Sequence, residues 1–145
     1  METINHECYV SLEVANLLKE AGFVWECKKI YFKTGWKGND DIWEIEDNNK
    51  KTNRVLELDY CLLAPTLDVV QRWLREVKRI SVETGIDVNE KWKVLCCKYP
   101  VNNEWPDNWC LLDDTDETNP SYPTYEDAIE AGIKKSLEII LKKGE

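Results

Sequence analysis

Apolar residues recur at intervals of three and four in three stretches of the chain, the spacing that gives a helix one apolar side. These stretches run from Leu12 to Ala21, from Leu67 to Arg79 and from Tyr125 to Lys143. The second apolar stripe consists of Leu67, Val70, Trp73, Leu74 and Val77. The pattern predicts three amphipathic helices, each with one side available for packing.

Each predicted helix also has a start signal, because a hydroxyl side chain stands just before its first residue. Ser11, Thr66 and Thr124 can each cap the open backbone N–H groups of a first helical turn. Gly22 can take the left-handed conformation that ends a helix, so the first helix is expected to stop there. In the third helix, the small residue Gly132 would let a neighbouring element approach closely.

Six short runs rich in β-branched and aromatic residues lie between the helices, and turn-forming residues separate them. The predicted strands are 25–33, 42–46, 55–63, 80–88, 92–99 and 109–112. Strands joined by short turns form hairpins and not β-α-β crossovers. The sequence thus predicts an α+β fold, with three amphipathic helices packed on one face of an antiparallel or mixed β-sheet, in the order α-β-β-β-α-β-β-β-α.

A chain of 145 residues suits a single compact domain, spanning residues 1–145, with one hydrophobic core. The repeated order of one helix followed by strands raises a duplicated half as an alternative. Trp25 and Trp43 accompany the first predicted hairpin as Trp92 and Trp109 accompany the second. No residue-level repeat is visible beside them, so duplication stays an open alternative.

The net charge of −9 comes from 28 acidic and 19 basic residues, and most of the acidic excess lies in the C-terminal half. Residues 81–145 hold 14 acids against 7 bases, whereas residues 1–80 hold 14 against 12. Phosphate binding needs concentrated Lys and Arg, so neither nucleic acid nor an anionic membrane is expected as a partner. No apolar run approaches the roughly 20 residues that cross a bilayer, and the first residues lack a secretion signal, so we expect a cytoplasmic protein.

The redox and metal chemistry open to the chain is limited by its six cysteines and its single histidine, His6. The cysteines are scattered without a C-x-x-C pair, so we interpret them as thiols that fill apolar space. Cys96 and Cys97 are adjacent on a predicted strand and should point to opposite faces. His6 with Cys8 offers too few ligands for a tetrahedral zinc ion. We predict no metal and no cofactor.

The sequence also lacks three common catalytic signatures. The helix starts have no neighbouring glycines to cradle a phosphate. A serine or cysteine nucleophile normally uses a histidine base, and His6 lies near the first residue. The acidic run 113–117 does not fit a calcium loop, because a loop starting at Asp114 puts Asn119 at the glycine position and Tyr125 at the bidentate Glu position. We predict no catalytic residue.

The best binding candidates are two tryptophans in turn-rich segments and three arginines on the second helix. They are Trp36, Trp105, Arg72, Arg75 and Arg79. An exposed indole ring can stack on a base or a sugar. The arginines can meet an acidic partner, or they can form with Glu76 an exposed face laced with salt bridges.

Three parts of the chain resemble a known group of sequences. They are residues 9–15 (Tyr-Val-Ser-Leu-Glu-Val-Ala), residues 64–67 with 71–76, and residues 125–131 (Tyr-Glu-Asp-Ala-Ile-Glu-Ala). In these parts the chain is similar to small uncharacterised proteins encoded in phage-like and mobile regions of Bacteroides genomes, and the match covers most of the chain in order. The resemblance implies a bacterial or phage cytoplasmic protein. That group has no established activity, so no functional residue carries over.

Together these observations favour a non-enzymatic protein-interaction or accessory module, phage-derived as the resemblance implies, with a protein as its partner. The missing catalytic constellation and the acidic C-terminal half motivate this hypothesis. Two alternatives stay open. A carboxylate-dependent, metal-assisted hydrolase requires three or more acids in one pocket. A single-stranded nucleic-acid binder would use Trp36, Trp105 and the face from Arg72 to Arg79.

Overall fold

The helices and strands of the described residues follow broadly the order that the sequence predicts, which confirms the α+β class. The computed structural model of the protein describes residues 8–37, 40–48, 59–87, 89–100, 102–104, 110–112 and 121–143. The chain divides into two compact units, unit 1 (Met1–Thr66) and unit 2 (Leu67–Glu145). Each unit has its own three-stranded antiparallel sheet, where the sequence predicted one sheet, because each strand group pairs within itself. A single domain over residues 1–145 stays a prediction.

Unit 1 contains one described helix and the first sheet. Helix α1 spans Leu12–Glu20, and the strands are β1 (Lys29–Lys37), β2 (Asp40–Asp47) and β3 (Cys61–Leu63), in the sheet order β2-β1-β3. Strand β1 runs beyond its predicted end, because a bulge between Lys33 and Gly35 lets the pairing with β2 continue. Residues 55–58 of the predicted third strand lie outside the described residues.

The two ends of α1 follow the predicted signals. The Ser11 hydroxyl accepts a hydrogen bond from the Val14 N–H at 3.3 Å, and Gly22 takes a left-handed φ of 89° after the last turn. The Phe23 N–H donates to the Leu18 carbonyl at 2.9 Å, and the Phe23 ring is buried. The left-handed Gly22 therefore ends the helix, and the apolar side of α1 packs against β3.

Unit 2 contains two described helices and the second sheet. Helix α2 spans Leu67–Trp73 and continues as a wider π-helical turn over Leu74–Lys78. The remaining elements are β4 (Ile80–Ile86), β5 (Trp92–Lys98), β6 (Cys110–Leu112) and helix α3 (Tyr125–Lys143). The sheet order is β4-β5-β6, and α3 packs on β4 and β5.

The π turn changes which residues the second helix buries. Trp73 and Leu74 are buried as their spacing predicts, but Val77 is 49% exposed. A π turn closes its hydrogen bonds over five residues where an α-helix uses four, and the Arg79 N–H donates to the Leu74 carbonyl in this way. The wider turn carries Val77 away from the apolar side, so the predicted stripe ends at Leu74.

Helix α3 lies close to the sheet of unit 2 because Gly132 has no side chain. A Cβ atom there would lie 2.5 Å from Val94 Cγ2 and 2.7 Å from Val82 Cγ1. The Gly132 carbonyl also accepts hydrogen bonds from Cys96 Sγ at 3.4 Å and from Ser136 Oγ at 2.9 Å. The close approach predicted from this small residue is confirmed, and one side of α3 is buried against the strands.

Replacing Gly132 with valine should destabilise unit 2, because the added carbons overlap Val82 and Val94. Overpacking of this kind costs about 1–3 kcal/mol, which lowers the melting temperature Tm by roughly 2–10 °C in a protein of this size. Gly85→Val is the matched control, since a Cβ atom at Gly85 meets no atom within 4 Å. Thermal unfolding followed by circular dichroism measures both variants. An unchanged Tm for Gly132→Val would contradict the close packing.

Candidate functional site

The binding candidates from the sequence fall on both units. Trp36 has its backbone in β1, paired with β2, where the sequence predicted a turn. The Trp36 side chain and all of Trp105 lie outside the part of the chain that the structure describes. Arg72 and Arg75 are exposed on α2 and its π turn, and Arg79 follows that turn. Their role in binding stays a prediction.

Two basic residues at the end of the π turn contact aromatic rings of their own unit. Arg79 has a left-handed φ of 60°, and its guanidinium lies 5.5 Å from the centre of the Tyr99 ring. It also donates a hydrogen bond to the Pro100 carbonyl at 3.3 Å. Lys78 Nζ lies 5.6 Å from the centre of the Trp73 ring. Cation–π contacts at exposed sites contribute about 0.5–1 kcal/mol, so these side chains help to hold the π turn in place.

Strand β2 exposes apolar and acidic side chains next to one another. Ile42 and Ile45 are 39% and 43% exposed, although both belong to a strand. The sequence of the strand, Asp-Asp-Ile-Trp-Glu-Ile-Glu-Asp, holds five acids among its eight residues and no base. Trp43 is half-buried. Unlike the strands of a core, β2 therefore presents much of its side-chain surface to solvent.

Main-chain hydrogen bonds determine which backbone groups of β2 point away from β1. The Asn48 N–H donates to the Lys28 carbonyl at 2.8 Å, just beyond the paired strands. Hydrogen-bonded and non-hydrogen-bonded pairs alternate along an antiparallel ladder. The register is unbroken from Asp47 to Trp43, so counting back from Asn48 in steps of two shows that Glu46 and Glu44 bond to β1. The residues that point their N–H and C=O groups the other way are Trp43, Ile45 and Asp47.

The hydrogen bonds on the β3 side of β1 show the same alternation of bonded and non-bonded residues. The Lys33 N–H donates to the Tyr60 carbonyl at 2.9 Å, and the Lys29 carbonyl accepts from the Ala64 N–H at 3.1 Å. Between Lys29 and Lys33, before the bulge, the odd-numbered residues of β1 thus bond on the side of β3, and the even-numbered ones bond to β2. Strand β1 is paired on both edges, whereas no described strand pairs with the outer edge of β2.

The acids of β2 differ in whether a lysine neutralises them. Lys29 Nζ lies 2.5 Å from the Asp47 carboxylate, and Lys33 Nζ lies 3.1 Å from the Asp41 carboxylate. Among the described residues, two acids of the strand have no basic side chain within salt-bridge distance, Glu44 and Glu46. Among the described side chains of β2, the negative charge without a nearby base is therefore at the middle of the strand.

Side chains of β2 alternate between the two faces of its sheet. One face presents Trp43 and Ile45, and the other presents Ile42, Glu44 and Glu46. We call these five side chains, together with the outward N–H and C=O groups of Trp43, Ile45 and Asp47, the β2 edge. The β2 edge offers apolar contact on one face, an isoleucine beside uncompensated negative charge on the other, and open hydrogen-bonding groups between them.

Two concave places lie within single units. In unit 1, a crevice of about 10 Å³ between α1 and β3 has room for about one water molecule. In unit 2, an open depression of about 300 Å³ lies on the β4–β5 hairpin, with Glu83, Asp87 and Lys93 among its lining residues. These charged side chains are half-buried or exposed, unlike the buried, convergent polar groups of a typical ligand pocket.

The described residues contain no group of three or more His, Cys, Asp or Glu side chains that could hold a metal ion. The metal-assisted hydrolase suggested by the sequence stays a prediction. No helix in the described ranges is long and apolar enough to cross a membrane.

The cysteines divide into buried and half-buried thiols, and none of the six forms a disulfide. Burial raises the pKa of the Cys27 thiol to about 12, and the nearby Glu26 carboxylate adds to the effect. Burial likewise raises the pKa of Cys96, under helix α3, to about 11. The adjacent Cys97 is half-buried and lies opposite Cys110 of β6. Neither Cys27 nor Cys96 has the lowered pKa of a reactive cysteine.

Cys27 and Cys96 should react with iodoacetamide at pH 8 at least about tenfold more slowly than Cys97. Their raised pKa values leave about a hundredfold less thiolate at Cys96 and about a thousandfold less at Cys27 than in an ordinary thiol, which outweighs their greater intrinsic nucleophilicity. Their labelling should still accelerate as the pH rises past 10. Time-resolved mass spectrometry of the labelled peptides measures each rate. Equal rates at pH 8 for Cys96 and Cys97 would show that α3 does not shield Cys96.

Ile42, Ile45, Glu44 and Glu46 are not among the binding candidates that the sequence predicts. The available signal was the alternation of acidic and apolar residues between Trp43 and Glu46, which is typical of a strand with one exposed face. A strand in the middle of a sheet can show the same alternation. Only the pairing of β1 with both neighbours places β2 at the edge.

Comparisons with known proteins give no relative for this chain. Neither a protein-family model, nor a curated protein, nor a solved structure matches it. The functional interpretation therefore depends on the geometry of the protein's own residues.

Proposed function

We propose that the protein is a non-enzymatic protein-interaction module and that the β2 edge is its contact surface. The observation that carries the proposal is the exposure of Ile42 and Ile45 on a strand whose outer backbone groups have no partner strand among the described residues. Exposed apolar side chains on an open strand edge favour contact with another chain, unless charge or a covering element prevents it.

A polypeptide partner fits this surface better than a nucleic acid or a small molecule. Covering the exposed parts of Ile42 and Ile45 contributes roughly 1 kcal/mol each, because fully burying such a side chain contributes about 1.5–3 kcal/mol and both are already more than half covered. A polypeptide can also pair with the outward N–H and C=O groups. The Glu44 and Glu46 carboxylates repel phosphate groups, which disfavours nucleic acid at this edge.

The proposal includes the accessory role and the cytoplasmic location that the sequence predicts. The resemblance to proteins of phage-like regions supports the accessory role. The six scattered cysteines support the location, because the cytoplasm keeps thiols reduced.

The double variant Ile42→Thr/Ile45→Thr should lose its cellular partner while keeping its fold. Threonine keeps the β-branched shape but removes apolar contact, so recovery of the partner should fall at least about tenfold, the effect of about 1.4 kcal/mol. Affinity capture from a lysate of the encoding organism, quantified by mass spectrometry, measures the recovery. Circular dichroism and Tm confirm the fold.

Ile86→Thr/Leu95→Thr is the matched control, since both side chains are exposed on strands of unit 2, at 61% and 37%. Recovery of a partner that binds at the β2 edge should be unchanged with this control variant. If no captured protein depends on Ile42 and Ile45 more than on Ile86 and Leu95, the proposed contact surface is wrong.

A further inference from the structure

We infer that the partner docks on the β2 edge as an added β-strand in which basic and apolar side chains alternate. The inference rests on the proposed function and names the chemistry of the partner. It follows from three separate properties of β2: its open backbone groups, the alternation of its side chains, and the two glutamates that no described base neutralises.

The backbone groups define how the partner binds. Trp43, Ile45 and Asp47 direct their N–H and C=O groups outward, and such a row is a template for one more strand. Strand addition of this kind supplies affinity through main-chain hydrogen bonds and specificity through alternate side chains. An added strand would lie beside β2 in the way that β2 lies beside β1.

The side chains define what the partner presents. On one face the partner meets Glu44 and Glu46, so basic side chains there form cross-strand ion pairs; on the other it meets Trp43 and Ile45, so apolar side chains there extend the apolar contact. Opposite charges and apolar pairs across strands each contribute about 0.2–1 kcal/mol. Because successive residues of a strand face opposite sides, the partner sequence reads basic, apolar, basic, apolar.

A second copy of this chain does not fit the same edge in the register that pairs Ile45 with Ile45. An antiparallel pair of β2 strands centred on Ile45 would set Glu44 of each copy opposite Glu46 of the other. Like charges directly opposite one another destabilise a strand pair, and neither glutamate has a described base to neutralise it. The charge that favours a basic strand therefore disfavours self-pairing in this register.

The same glutamates have a simpler explanation, in which they only prevent edge-to-edge aggregation, as charged residues on edge strands often do. The two explanations differ in one measurable respect. A strand that merely avoids aggregation has no affinity for a basic extended peptide beyond weak, non-directional charge attraction.

The test uses a short fluorescent peptide in which Lys and Val alternate, titrated with the full chain at low salt and followed by fluorescence anisotropy. We expect saturable binding that weakens as salt is added, and no binding of the matched peptide in which Glu replaces Lys. Glu44→Lys/Glu46→Lys should raise the Kd at least about tenfold. Glu20→Lys/Glu138→Lys, the same charge change on exposed helix positions, should change it less than about threefold.

Two further peptides test the hydrogen bonding, one N-methylated on its Val residues and one on its Lys residues. In antiparallel addition the Val amides face β2 and in parallel addition the Lys amides do, because of the alternation of main-chain bonds. One methylated peptide should therefore lose at least about tenfold in affinity while the other keeps its binding. If the two bind alike, the peptide does not add as a strand and the inference is wrong.

The outcomes separate this inference from the proposed function. If the Lys–Val peptide binds no better than the Glu–Val peptide, while Ile42→Thr/Ile45→Thr still loses a cellular partner, the basic strand is wrong and the contact surface stands. If Glu44→Lys/Glu46→Lys and Glu20→Lys/Glu138→Lys raise the Kd of the Lys–Val peptide equally, the peptide is attracted only by the net charge of the protein. That result overturns the inference.

Discussion

Every backbone N–H and C=O group that folding removes from water needs a hydrogen-bond partner, and among the described strands of unit 1 it is β1 that has a strand on both of its edges. From Lys29 to Lys33 its even-numbered residues bond to β2 and its odd-numbered residues bond on the side of β3. On the side of β3, helix α1 packs against the strand. The outer edge of β2 receives no strand from the described residues, and there the requirement is left to solvent or to another molecule.

The burial of side chains in the two units differs in the same way, according to whether another element covers the strand. In unit 2 helix α3 lies against β4 and β5, and the missing side chain of Gly132 lets it approach closely enough to bury Val82 and Val94. Strand β2 has no such cover, and its isoleucines are partly exposed. The acids of β2 keep this open edge in water, and they also restrict which chains can approach it, since an acidic strand meets unfavourable charge there.

Local signals in the sequence were sufficient for the elements, and non-local pairing decided the rest. Ser11, Gly22 and Gly132 each act through a contact within a few residues or through a missing Cβ atom, so their effects were predictable. Val77 departs from its predicted stripe because a π turn replaces the last α-helical turn. The exposure of Ile45 was not predictable, because it depends on strand order, which hydrophobic periodicity does not encode. The division into two sheets has the same origin.

Amide hydrogen exchange followed by NMR tests the open edge of β2 most directly. We expect alternating protection along the strand: the amides of Glu44 and Glu46, which bond to β1, should exchange slowly. Those of Trp43, Ile45 and Asp47, which point outward, should exchange at close to the rate of unprotected amides. Uniform protection of all five amides in the isolated protein would mean that another part of the chain already occupies the edge, and the open edge would then be wrong.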